Sequence, residues 1–251
     1  RECLVFRDGQ HLASLDLEAG GADAIPGERL RARGRCRSYL SGGLYPFTLG
    51  AGTNMQLFEN ILTKVITRDI PAYDRTMTAE DVDKLQKTVR FIGRSAVDGI
   101  NYSSISKNLG ITKYKAEKYL EYLERSFIAS RVFPAGTNVL KEPKVLMQLP
   151  FRLVFKPVDT AIGALREEFF VLAMRQHGRQ ISYAKSTRGA KTPDYVLDLD
   201  SGRTVVEIGG TGKGRSQFKG FEYDRKVVLF DGDRGPVQPG RRVPLHCLGF
   251  A

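Results

Sequence analysis

Hydrophobic positions along this chain switch between two periods, and each switch marks an element. Leu57, Ile61, Leu62, Val65 and Ile66 recur at three- and four-residue spacing, which predicts an amphipathic helix over 55–70, ended by Pro71. Thr78 with Asp81 three residues on reads as a capping box, although Glu or Gln is the commoner partner. The helix it opens runs to Gly93, with Val82, Leu85, Val89 and Ile92 inward. Before these, an arginine-rich helix is expected over 28–40, a weaker one over 11–19, and an aromatic turn at Leu44-Tyr45-Pro46-Phe47.

Residues 102–127 read as a helix-turn-helix. A short helix covers 102–109, Gly110-Ile111 makes the turn, and Thr112 caps a second helix that buries Ala116, Tyr119, Leu120 and Leu123. Strand-like runs at 128–133 and 144–149 follow, giving the two helices and β-wing of a winged helix. The second helix of such a fold enters the major groove by its first residues. Here those are Lys113, Tyr114, Lys115 and Lys118, basic and aromatic, which suits phosphate and base contact. Glu117 and Glu121 share that helix, so a winged helix that serves only domain packing is the structural alternative.

From Leu165 the period turns helical over 165–176, then falls to two. A strand is expected at 181–184. Two alternating runs, 195–199 and 203–208, join at Asp200-Ser201-Gly202, a hairpin signal. A short helix over 215–221 and a buried strand over 226–230 complete an α-β-β-β-α-β order, and a short apolar run covers 243–250. The fold class expected is α/β: a helical segment (1–78), a winged helix (79–150) and an α/β domain (151–251).

Composition narrows the function. The 251 residues carry a net charge of +11, and a basic surface draws polyanions by counterion release, so DNA is the leading partner class. Cys3, Cys36 and Cys247 form no CxxC pair, and His11, His177 and His246 have no ligand spacing, which argues against zinc. No apolar run approaches the roughly 20 residues of a membrane helix. A cytoplasmic, reduced setting is expected. The first residue is Arg, which suggests a processed chain or a piece of a longer one.

The candidate chemistry lies in the hairpin. Asp194 opens its first strand and Glu207 ends its second, so pairing brings both acids to one end of the sheet, where they can hold Mg²⁺ through hard oxygen ligands. Glu167 on the preceding helix would complete the set. Lys213 would reach back to orient the attacking water and stabilise developing charge. Glu168, beside Glu167, is expected at the surface. The run GGTGKGRS resembles a phosphate loop but fails it: Glu207 stands where the first glycine is required, and Gly214 replaces the Ser or Thr after the lysine. Isolated strand-end acids with a structural role are the alternative.

Acid on a helix, Pro193-Asp194 at a strand and Glu207 on the next strand resemble the PD-(D/E)XK nuclease-like fold, with Gly209 where the motif has its lysine. Together with LFENILTKVITRDIPAY, INYSSISKNLGITKYKAEKYLEYLERSFI and IGALREEFF in order, the chain resembles the C-terminal half of a family of prokaryotic AAA-type ATPases. The resemblance implies a winged helix followed by a nuclease-like domain, with Glu167, Asp194 and Glu207 at the family's acid positions. ATP binding would belong to an N-terminal ATPase domain that these residues do not contain. The readings that follow are a DNA-associated module with a degenerate nuclease-like domain, a Mg²⁺-dependent DNA endonuclease, or a protein-interaction scaffold.

Overall fold

A computed structural model describes residues 33–43, 45–48, 54–136, 142–184, 192–200, 202–209, 222–231 and 242–250. The helices are α1 (Arg33–Leu40), α2 (Met55–Lys64), α3 (Ile70–Tyr73), α4 (Ala79–Arg94), α5 (Tyr102–Leu109), α6 (Lys113–Arg125) and α7 (Val158–Gln176). The strands are β1 (Ala129–Pro134), β2 (Lys144–Met147), β3 (Ile181–Tyr183), β4 (Tyr195–Leu199), β5 (Gly202–Gly209), β6 (Arg225–Phe230) and β7 (Arg242–Pro244). The chain is mixed α/β, as expected. It divides into one unit of Gly52–Glu168 and another of Arg1–Ala51 with Phe169–Ala251.

In the first unit, Asn54 caps α2 by accepting from the Gln56 N–H at 2.9 Å. The buried stripe is Phe58, Leu62, Ile66 and Ile70, while Leu57 is exposed. The expected stripe therefore sits about one residue off: Phe58, with the larger ring to bury, takes the inward place instead of Leu57. Nor does Pro71 end the helix. A π-helical turn (Val65–Asp69) intervenes, with the Ile70 N–H donating to the Val65 carbonyl, and α3 carries Pro71 in its first turn. A proline ring collides with the carbonyl four residues back in an ordinary α-turn, and the wider turn relieves that crowding.

Thr78 and Asp81 form the reciprocal capping box of α4, and Asn101 with Ser104 makes a second one at α5. Gly110 ends α5 at φ 62°, a left-handed position that favours glycine, and Thr112 then caps α6. Helix α6 buries Ala116, Tyr119, Leu120, Tyr122 and Leu123. Strands β1 and β2 pair antiparallel, from Ala129 against Met147 to Val132 against Lys144. The expected loop between them lies largely outside the described residues.

In the second unit, β3, β4 and β5 run antiparallel, and β6 and β7 add in parallel beside β5. The hairpin closes at Gly202 (φ 106°), with Tyr195 opposite Val206 and Leu199 opposite Gly202. Central β5 is buried from Thr204 to Gly209, as a strand covered on both faces must be. The ring of Phe170 packs 5.1 Å from that of Tyr195, and Tyr39 meets Phe169 edge-on at 5.8 Å. The expected helix over 215–221 lies outside the described residues.

Candidate nucleic-acid interface and strand-end acids

Helix α6 carries the basic residues picked out from sequence. Tyr114 is 73% exposed, the Lys113 side chain is 64% exposed, and Lys115 and Lys118 are partly so. Each lysine ends on a carboxylate of its own unit. Lys118 Nζ lies 2.9 Å from Asp74, Lys115 Nζ 2.8 Å from Asp81, and Lys113 Nζ 2.9 Å from Glu142.

Asp74 and Asp81 are built alike. One oxygen of each serves its own turn: Asp74 Oδ1 accepts from the N–H and hydroxyl of Thr76, and Asp81 Oδ2 from those of Thr78. The other oxygen receives a lysine and a tyrosine from α6. Asp74 Oδ2 takes Lys118 and the Tyr122 hydroxyl, while Asp81 Oδ1 takes Lys115 and, at 2.8 Å, the Tyr119 hydroxyl. Hydrogen bonds from Thr76, Tyr122 and Lys118 hold the Asp74 carboxyl well below the usual range. Those from Lys115 and Thr78 do the same for Asp81. Burial, then the bond to Asp81, pushes the Tyr119 phenol up. Glu142 accepts from the N–H and hydroxyl of Ser103 as well as from Lys113, tying the segment before β2 to α5 and α6.

The strand-end acids occupy the second unit. Extending the β4–β5 register by one places Asp194 opposite Glu207, on one face of the sheet. Asp194 Oδ2 accepts from the Ile208 N–H at 2.7 Å, closing the hairpin's open end, and Glu207 is 1% exposed. Glu167 belongs to the other unit, where it accepts from Lys144 Nζ at 2.6 Å. Asp98 lies 2.9 Å from the same ammonium. Burial opposes the charge on Lys144, but the attraction of Glu167 and Asp98 outweighs it and pushes the ammonium up to about 12. Lys213 lies outside the described residues. Among the described residues no group of three or more His, Cys, Asp or Glu converges as a metal site needs. Asp194 spends one oxygen on a backbone amide, and Glu167 faces a cation.

Glu168 corrects the sequence reading: it is fully buried, not at the surface. Three residues from Leu165 on a helix is 60° round, so the two share the inward face. Its Oε1 lies 2.7 Å from Arg152 Nε and accepts from the Met147 N–H at 2.9 Å. Arg152, also fully buried, sends Nη1 to the carbonyls of Ile92, Gly93 and Ser95 at the end of α4. Burial, opposed by Arg152, pushes the Glu168 carboxyl up to about 7. Arg152 is a structural residue that no periodicity or motif in the sequence marks. An arginine in the apolar run LPFRLVF was the one available signal.

A family model described as a domain of unknown function (DUF8612) matches residues 33–148. That span takes in α1 to β2 and ends before the strand-end acids. No curated protein and no solved structure matches the chain.

Proposed function

We propose that this chain is a DNA-associated module in which α4 to β2 act as a winged helix over residues 79–150. Residues 151–251 would then be a degenerate nuclease-like domain, and the chain as a whole the C-terminal part of an AAA-type ATPase, its ATP site in a domain outside these residues. The observation that carries the reading is α6 itself. It follows α5 through a glycine turn, it is followed by an antiparallel β-pair, and its first turn presents Lys113, Tyr114 and Lys115 to solvent on a chain of net charge +11. Surface ion pairs are worth about 0–1 kcal/mol each, so their carboxylate partners do not bar phosphate contact.

The endonuclease reading places Mg²⁺ on Asp194 and Glu207, with Lys213 in support. The experiment that separates the two incubates supercoiled and linear DNA with the chain and Mg²⁺ or Mn²⁺, beside Asp194→Ala with Glu207→Ala. Salt-sensitive binding without cleavage, unchanged in the double variant, is expected. Cleavage that disappears in the double variant would replace the binding module with a metal nuclease. A protein-interaction scaffold is the third reading, favoured by the carboxylates that already occupy the α6 lysines, and it predicts neither binding nor cleavage.

A further inference from the structure

The geometry points to a built-in electrostatic mask: Asp74, Asp81 and Glu142 hold the α6 lysines where a phosphate backbone would, so the unit restrains its own affinity for DNA. The inference rests on the DNA-binding reading and adds a means of regulating it.

Three observations carry it. The acids come from different segments, the turn after α3, the start of α4 and the residues before β2, yet each ends on one lysine of the same helix. All three acids are held independently of the lysine, by bonds from Thr76, Thr78 and Ser103. Their side chains are only 14%, 15% and 27% exposed, while the lysines are 39–64% exposed. A partly sheltered carboxylate, hydrogen-bonded within its own unit and facing a solvated ammonium, is a phosphate-like acceptor. Asp74 and Asp81 also hold the Tyr122 and Tyr119 hydroxyls, so each acid has a structural bond that remains when its lysine leaves. Release therefore costs a lysine contact, not the docking of α6. Polyanion phosphates would compete for the lysine ends, and any change that removes the acids' charge would unmask them.

The test compares the chain with the triple variant Asp74→Asn, Asp81→Asn, Glu142→Gln, which keeps oxygen acceptors for Thr76, Thr78 and Ser103. A control variant, Glu59→Gln, Asp69→Asn, Asp83→Asn, removes the same charge from the same unit at exposed sites. Binding of a fluorescein-labelled duplex is followed by anisotropy from about 50 to about 200 mM salt. The mask predicts that the triple variant binds roughly tenfold or more tightly than the chain. The mask is partial, so its log K against log salt should steepen by less than about 2.7, the value for three wholly withheld phosphate contacts at about 0.9 each. The control should gain clearly less and keep the original slope. Equal gains in the triple and control variants would overturn the mask and leave the DNA reading standing. Folded protein that binds no duplex in any variant at about 50 mM salt would overturn both. Circular dichroism and melting check the fold. Should the triple variant not fold, Glu142→Gln alone carries the test, with an expected steepening of less than about 0.9.

Discussion

Arg152 joins four segments of its unit: the end of α4, its own 3-10 turn (Phe151–Val154), the end of β2 through Glu168, and α7. Removing one partner of a buried ion pair leaves the other uncompensated. Arg152→Met should therefore lower unfolding stability by about 3–5 kcal/mol in urea titration, whereas an exposed arginine such as Arg90 should cost little on substitution. Glu168 has its folded-state carboxyl raised to about 7, above the ordinary value of 4.5. Folding thus takes up a proton between those values. The stability this group contributes is full below about pH 4.5 and is lost as pH rises through about 7. The urea midpoint of the chain relative to Glu168→Gln should fall across that window, and a flat difference would place Glu168 in its charged form throughout. Thr204 lies inside the second unit against Phe170, Leu197 and Val206, and among the described residues its hydroxyl has no hydrogen-bond partner. Thr204→Val should be neutral or stabilise by up to about 1 kcal/mol, since it removes a desolvated group without leaving another.

At the scale of elements, caps and turns were readable because they depend on neighbours in sequence. Thr78 with Asp81, Gly110 and Thr112 stand where the residue types place them, and the 195–208 hairpin has the register its alternation requires. Features decided by distant partners were not readable. Phe58 rather than Leu57 faces inward because of Phe151, whose ring lies 6.0 Å away, almost a hundred residues on. Glu168 is buried because Arg152 and the Met147 amide wait for it. The π-turn before Pro71 keeps the helical direction that a proline was expected to break. Close approach also has a sequence-silent case in α4. A Cβ on Gly93 would run into the Phe155 ring, so Gly93→Ala should cost about 1–3 kcal/mol in thermal or urea unfolding despite alanine's better helix propensity.

Across the whole molecule, net charge and the candidate site tell different stories until the partners are seen. A charge of +11 points to polyanions, and the lysines of α6 lie in its first two turns. What no sequence pattern announced is that Asp74 and Asp81, 44 and 34 positions upstream of Lys118 and Lys115, and Glu142, 29 positions downstream of Lys113, already hold those lysines. The acids proposed for metal were likewise legible as strand-end residues, and pairing does set Asp194 against Glu207. Their use was not legible: Asp194 closes the hairpin through the Ile208 amide, and Glu167 answers Lys144 in the other unit. Among the described residues no helix is long and apolar enough to cross a membrane.

The measurement that bears most directly on the DNA-binding reading is duplex affinity as a function of salt for the chain and for Lys113→Ala, Tyr114→Ala, Lys115→Ala. The expected result is salt-dependent binding by the chain and weaker binding by the variant, with a salt slope smaller by up to about 1 for each lysine that meets a phosphate. Affinity and slope unchanged in a folded variant would contradict it, and would move the basic contact away from α6.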